Sequence, residues 1–484
     1  MKALGILGTS SGAGKSWIAT AMCAWLRSEG VRVAPFKAQN MSNNAWATFD
    51  GGEIARAQAV QAEACGLTPC VEMNPILLKP SGVQGSQVIL RGQAQPHQTA
   101  RGYYGNFEEL WALVRDTLDG WRNKCDVLVL EGAGSPVELN LIEHDLVNTR
   151  PLRYLDGRAL LVGDIDRGGI YAQLAGTWQL LPEEDRARLL GAVVNRFRGD
   201  ISLFPDPNRW LAPHAPGFRV LGTVLLRPDL QPEEEDGLAP GNEDRGQGEV
   251  IAWIRLPHVA NLTDCQPWWD DEGVRTRWVK TASELASARA IVIPGTKNTM
   301  ADMRWLRASG LDRAIVAASR AGVPVIGLCG GYQILGESLS DSSGVAGDAG
   351  EETGLGLLPI RTVFEKDKIV RQVMAICGER RWQTYEMHMG RGHATREHAS
   401  LQVVKNGPET CAEGSKVGNI WGTYLHGWFD VPETRRLVAA AAGIIGHRPC
   451  LLPWAEKRQL IYRTMADHLV AHVDLTVVRQ YLGL

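Results

Sequence analysis

Three things are scarce in this chain, and each scarcity removes a class of function. Net charge is the first: 51 basic residues against 54 acidic ones leave a formal charge of -3, too little of either sign to expect nucleic acid as a partner. Long apolar runs are the second. None approaches the roughly 20 residues that a membrane helix needs, and Met1 to Leu7 carries one lysine before running straight into a Gly-rich loop, so no membrane partner and no leader are expected. Paired cysteines are the third. There are nine, an odd number with no Cys-x-x-Cys pair, which argues against a disulfide framework or a structural zinc site and for a reducing compartment, the cytoplasm. What remains is ordinary for a globular protein: 484 residues, 44% hydrophobic and 22% charged, enough for two large domains or three smaller ones. Sixteen tryptophans are scattered without a period and read as packing residues.

Leu4 to Leu7 is a short apolar strand, followed by Gly8-Thr9-Ser10-Ser11-Gly12-Ala13-Gly14-Lys15-Ser16 and by Ile18, Met22 and Leu26 at helical spacing, closed by Gly30. A Gly-rich loop between a strand and a helix cradles phosphate. Its backbone N–H groups wrap the β-phosphate at the helix N-terminus, Lys15 reaches the β/γ oxygens and Ser16 ligates Mg²⁺. ATP and Mg²⁺ are therefore the expected cofactors, with Gly8, Thr9, Ser10, Gly14, Lys15 and Ser16 as the cradle. Thr9 stands where the common spacing has glycine and Gly8 lies one residue earlier, a variant that resembles the loop of the dethiobiotin synthetase superfamily. A partition-type ATPase switch would carry a second lysine five residues before Lys15, and that position is Ser10.

Further apolar, unalternating runs at Val31 to Ala34, Val127 to Leu130, Ala159 to Val162 and Ala192 to Val194 read as strands buried on both faces, and a parallel α/β sheet accounts for them. Functional side chains then belong at their C-terminal ends. The second strand is followed by Lys37-Ala38-Gln39-Asn40-Met41-Ser42-Asn43-Asn44, dense in amides, and the third by Glu131-Gly132-Ala133-Gly134-Ser135, which places a carboxylate where Mg²⁺ is held in such sheets. The next two lead into Asp164-Ile165-Asp166-Arg167-Gly168-Gly169 and Asn195-Arg196-Phe197-Arg198. Any one of these is an unremarkable solvated loop; all of them facing a phosphate loop point to a substrate site.

A Pro/Gly/acidic stretch, residues 231–249, has almost nothing to bury and divides the chain. The expected division is 1–230, linker 231–249, a second α/β domain over 250–440 and a helical extension over 441–484. In the second domain strand signals recur at Val250 to Ile254, Ala290 to Ile293 and Val325 to Leu328, with helices over Met300 to Leu306 and Leu311 to Arg320, while residues 340–352 read as a surface loop. Cys329-Gly330-Gly331 sits between a strand and a helix, the sharp turn on which a nucleophile is presented, with a helix N-terminus behind the sulfur. Gly295 and Gly330 are the expected oxyanion donors. Among eleven histidines, His426 ends an apolar run among small residues and is the expected base, with His388 as its rival.

Taken together, the phosphate loop, the Lys37 to Asn44 block, Asn74-Pro75-Ile76-Leu77-Leu78-Lys79-Pro80, Glu131 to Pro136 and Asp164 to Gly169 resemble the cobyric acid synthase family over almost the whole chain. The resemblance implies two α/β domains, an N-terminal P-loop amidoligase domain and a C-terminal class I glutamine amidotransferase domain. It further implies ATP- and glutamine-dependent amidation of the b, d, e and g carboxylates of a corrinoid, adenosylcobyrinic acid a,c-diamide, in cobalamin biosynthesis. A cobyrinic acid a,c-diamide synthase is the related alternative, and an ATPase switch carrying an inactive amidotransferase-like domain is the unrelated one. The expected corrinoid contacts are Lys37, Gln39, Asn40, Asn43, Asn44, Asp164, Asp166 and Arg167, with Lys79, Arg196 and Arg198 as further cations. Two departures stand out. Gly12 occupies a position where the family's pattern has aspartate, and Trp428 stands two residues after His426, where many triad-type amidotransferases carry the glutamate that orients the histidine. That leaves Glu386, Asp430 or no acid for the third role.

Overall fold

The computed structural model describes residues 1–80, 86–95, 105–230, 244–346 and 349–484. The chain forms two compact units that are not the two halves of the sequence: one comprises Met1–Ser42, Glu53–Glu233 and Arg458–Leu484, the other Asn43–Gly52 and Glu234–Lys457. The expected linker lies outside the described residues as far as residue 243, and Asp244–Gly246 already forms an edge strand.

The first unit is built on six parallel strands in the order Val220–Leu225, Leu189–Phe197, Arg158–Asp164, Lys2–Gly8, Val127–Glu131, Val33–Phe36. Helices cover both faces, which is why these strands are apolar without alternation. Lys2–Gly8 pairs with Val127–Glu131 on one side and with Arg158–Asp164 on the other. The connections change side there, so the loop after Gly8 opens at the switch point of the sheet, where ligands of such folds bind. Of the stretch expected as a separate helical extension, Arg458–Leu484 belongs to this unit. Tyr462, Met465, Leu469, Val473 and Val478 are buried in one cluster with Leu4, Ile6 and Ile18, and Arg458 forks onto Glu63 with Nε at 2.8 Å. A helix far along the sequence returned because its buried apolar residues cover a face of the first sheet.

The second unit holds a seven-stranded sheet in the order Asp244–Gly246, Gly273–Val279, Gly248–Ile254, Ala288–Ile293, Val325–Leu328, Ile420–Thr423, Ser415–Val417, parallel except at its two edges. Beside it the long strands Ile360–Cys377 and Arg380–Ala394 pair antiparallel, and Leu425–His426 joins the second of them with Tyr385 opposite His426. Of the stretch expected as a loop over residues 340–352, the two ends lie in an antiparallel pair, Ser338–Asp341 and Gly350–Thr353, and residues 342–346 are turn and bend as expected. The Asp341 carboxylate accepts N–H bonds from Ser343, Val345 and Ala346 and so shapes the turn that follows it. Among the described residues, no helix is long and apolar enough to cross a membrane, and none of the nine cysteines is in a disulfide.

Candidate active sites

In the second unit, Cys329 follows strand Val325–Leu328 and caps helix Gly330–Leu335 with φ 50° and ψ -108°, a backbone state that a residue with a Cβ adopts only under strain. Two features hold it there. The Cys329 N–H donates to the Thr423 carbonyl at 2.8 Å, and Gly331 lies so close to the neighbouring strand Ala288–Ile293 that a Cβ on it would stand 1.9 Å from the Ile293 oxygen. Glycine at position 331 is therefore what lets the helix start directly behind the sulfur.

Strand Ile420–Thr423 lies next to Val325–Leu328 with Leu328 opposite Thr423, so His426 emerges beside Cys329 although the two are far apart in sequence. A Cβ on Gly295 would meet His426 Cε1 at 3.1 Å and Cys329 Cβ at 3.7 Å, which puts this glycine against both. The Nδ1 of His426 lies 2.8 Å from Asp264 Oδ2, and Asp264 Oδ1 accepts the Gly427 N–H at 2.7 Å. Both side chains are almost fully buried. Burial alone would depress the imidazole pKa, but the Asp264 carboxylate and the hydrogen bond and charge of Cys329 outweigh it and raise it to about 10. The arrangement is a sulfur, an imidazole and a carboxylate in series, the set that nucleophilic acyl transfer requires.

Neither acid expected from the sequence occupies the third position. Glu386 bonds instead to His388 Nε2 at 3.0 Å and to Arg371; burial opposes its ionisation, yet its bonds to those two partners hold its carboxyl below the usual range. Asp430 lies by Gly427 on the short turn Trp428–Asp430. His388 is committed elsewhere, since its Nδ1 bonds the Gly390 carbonyl at 2.8 Å and its ring stacks on Tyr424 at 3.8 Å. Trp428, where a glutamate was looked for, is a core residue whose Nε1 donates to Gln402. Asp264 was missed because it lies 162 residues from His426 in a tryptophan-rich 3₁₀ segment, Leu262–Asp270. Nothing local named its partner.

In the first unit, the expected cradle residues close one loop. Gly14 caps helix Lys15–Ser28 with φ 93°, and a Cβ there would strike the Asn195 amide, whose Nδ2 donates to the Ala13 carbonyl at 3.0 Å. Lys15 Nζ donates to the carbonyls of Ser10 and Gly134 at 3.0 and 2.9 Å, Thr9 bonds Gln173, and Gly8 lies against the Lys15 stem. Gly12 has φ 71°, and a Cβ there would come within 2.7 Å of Arg167 Nη2, so the departure from the family pattern leaves room for that guanidinium.

The Ser16 hydroxyl donates to Glu131 Oε1 at 2.8 Å, which joins the two expected Mg²⁺ ligands. Lys37 Nζ lies 2.8 Å from the same oxygen, and Gln58 and Gln61 donate to Oε2. Burial disfavours the Glu131 anion, but Lys37 and these donors hold its carboxyl below the usual range. A hydroxyl and an ionised carboxylate meeting beside a phosphate loop are hard oxygen donors of the kind Mg²⁺ takes, so the residues fit the ion.

The remaining expected substrate residues are mostly bonded to one another. Arg167 and Arg196 both reach Asp164, Arg198 pairs with Asp166, and Lys79 pairs with Glu53. Asn40 donates to Gln58 at 2.9 Å, Gln39 starts strand Gln39–Met41, and Asn43 is exposed. Asn44, like Asn43, lies outside the first unit, where both were expected. It lies in the second unit, where its Oδ1 accepts the Asn261 N–H at 2.9 Å.

Comparison with known proteins gives a match for each part of the chain. Residues 4–240 match the CobQ/CobB/MinD/ParA nucleotide binding domain and residues 250–434 the CobB/CobQ-like glutamine amidotransferase domain. A cobyric acid synthase of Roseiflexus castenholzii is 44% identical over 98% of this chain and 96% of its own. The chain belongs to the cobyric acid synthase family. Further members from Chloroflexus aurantiacus and Herpetosiphon aurantiacus are 44% and 40% identical, over 98% and 99% of the chain and 97% and 98% of their own lengths. Family membership makes the protein a glutamine-dependent amidoligase in cobalamin biosynthesis, with a nucleotide-binding unit and an amidotransferase unit.

Proposed function

We propose that Cys329, His426 and Asp264 release ammonia from glutamine, and that the phosphate-loop unit uses ATP with Mg²⁺ to activate the b, d, e and g carboxylates of adenosylcobyrinic acid a,c-diamide in the cytoplasm. The observation that carries the first half is the strained Cys329 turn beside a buried imidazole bonded to a carboxylate. The Cys329 sulfur attacks the amide carbon of glutamine, and the tetrahedral oxyanion is held by backbone N–H groups around Gly295 and Gly330. As the C–N bond breaks, His426 gives its proton to the departing nitrogen; it then takes one from the water that hydrolyses the thioester, returning glutamate and free Cys329.

In the other unit a corrin carboxylate oxygen attacks the γ-phosphorus and ADP leaves. Ammonia then attacks the acyl carbon and expels phosphate, a far better leaving group than oxide. Lys15 and the loop amides hold the nucleotide's phosphates, and Ser16 and Glu131 are the residues that would hold Mg²⁺, which offsets phosphate charge when bound. With that cluster engaged, Lys37 and Arg167 are the cations we assign to the substrate's carboxylates, and Gln39 and Asn40 its adaptable polar contacts.

Cys329→Ser tests the reading. Glutamine-dependent amidation is expected to fall by at least about 10³-fold, while amidation from high concentrations of ammonia persists. Equal loss with both nitrogen sources would remove Cys329 from the glutaminase role.

A further inference from the structure

Residues Asn43–Gly52 leave the first unit and return to it ten residues later, yet they pack in the second. Both departure points are fixed to one strand of the first unit, Ile76–Pro80. Ser42 N–H donates to the Leu78 carbonyl at 3.0 Å, and Glu53 pairs with the buried Lys79. The excursion is internally closed as well, because Thr48 and Gly52 exchange bonds: Thr48 N–H donates to the Gly52 carbonyl at 2.8 Å and the Gly52 N–H to Thr48 Oγ1 at 2.9 Å. A short segment braced across its turn loses little further entropy when it holds something else.

What it holds is the neighbourhood of His426, from two directions. Trp46 packs on Tyr385 with ring centroids 4.5 Å apart, and Tyr385 stacks on His426 at 5.3 Å with planes 28° apart. The same strand register sets Tyr385 opposite His426, so the stack is fixed through the backbone too. From the other side, Asn44 Oδ1 accepts the N–H of Asn261 at 2.9 Å. Asn261 has the left-handed φ of 54° and caps the 3₁₀ segment Leu262–Asp270, which carries Asp264. Further along, the Ala47 carbonyl accepts the Gln372 side-chain amide at 2.6 Å, tying the segment to the strand paired with Tyr385.

We propose that Asn43–Gly52 is a positioning element for glutamine hydrolysis: Trp46, through Tyr385, fixes the plane of the His426 ring, and Asn44, through Asn261, fixes the segment that aims Asp264 at it. The amidotransferase unit is thereby completed by chain that the sequence assigns to the ATP-binding half. Because an imidazole that shuttles protons must stay aligned with both its acid and the sulfur, a displacement of the order of 1 Å costs about 10²-fold in rate. The inference rests on His426 being the glutaminase base.

The experiment uses the full chain. Trp46→Ala is expected to lower kcat for glutamine hydrolysis about 10- to 100-fold with a smaller change in KM, to shift the pH profile of kcat/KM, and to leave ammonia-dependent amidation within about two-fold of the parent. Trp46→Phe, which keeps an aromatic face over Tyr385, should restore most of kcat, and Asn44→Ala should show the loss without rescue. An unchanged kcat and pH profile in Trp46→Ala would overturn the proposal. So would parallel loss of the ammonia-dependent reaction, which would assign Trp46 to general stability. His426→Ala separates the two readings. If it is inactive with glutamine while Trp46→Ala behaves as the parent, only the positioning role fails; if it retains glutaminase activity, the assignment of the base fails first.

Discussion

The bond between His426 Nδ1 and Asp264 leaves the other ring nitrogen for Cys329 and determines which protonation state the imidazole keeps. Asp264→Asn removes the charge while keeping the size. Glutamine hydrolysis is expected to drop by about 10²- to 10⁴-fold, and ammonia-dependent amidation to persist. The same substitution has a stability signature. The folded-state pKa of His426 is raised from 6.5 to about 10, so the protonated imidazole's contribution to stability is complete below pH 6.5 and is lost as pH rises through about 10. Urea denaturation between pH 6 and pH 10 should therefore show the parent losing more stability across that window than Asp264→Asn. Equal slopes would mean that the charge pair is not what holds His426 protonated. At this scale the Cys329 turn was legible, because a strand, a cysteine, two glycines and a helix are contiguous. The acid was not, since its partner lies 162 residues away and a tryptophan fills the place where local pattern would look.

The turn at Cys329 depends on two backbones passing closer than any side chain allows. Gly331→Ala puts a methyl group 1.9 Å from the Ile293 oxygen, so the helix Gly330–Leu335 or strand Ala288–Ile293 has to move. We expect a destabilisation of roughly 1–3 kcal/mol together with loss of glutamine hydrolysis, measured by urea melts and by glutaminase assay on the same preparation. A stable variant with parent activity would show that the turn tolerates relaxation. Element positions were largely readable: strand Val325–Leu328 and helix Leu311–Arg320 coincide with the expected runs, because short apolar runs bounded by Gly and Pro have few alternatives. The strands at the two ends of residues 340–352 were not, since a polar hairpin strand has no apolar alternation to betray it and forms here by pairing with its neighbour.

For the whole molecule, the return of the C-terminal helix Trp454–His472 to the first unit is the least local feature. Leu469 is fully buried with Ile6 and Ile18, and Leu469→Ala should cost about 2–5 kcal/mol. The loss belongs to the unit that contains the phosphate loop. Hydrogen exchange is expected to quicken in strand Lys2–Gly8 and to stay unchanged in Val325–Leu328; a change confined to the second strand would contradict the assignment of this helix.

The sequence by itself determined the two chemistries, since a phosphate loop and a cysteine turn are each written within about a dozen consecutive residues and need only local geometry. It also determined the parallel sheets, through apolar runs too uniform for one-sided burial. Only the tertiary structure decided which acid serves His426, that Asn44 and Trp46 stand with the amidotransferase unit, and that the last helices cover the first sheet. Each of these is a contact between segments with no shared local pattern. They are selected by which buried charge finds an opposite partner and which apolar face finds cover, and those choices exist only once the chain has folded.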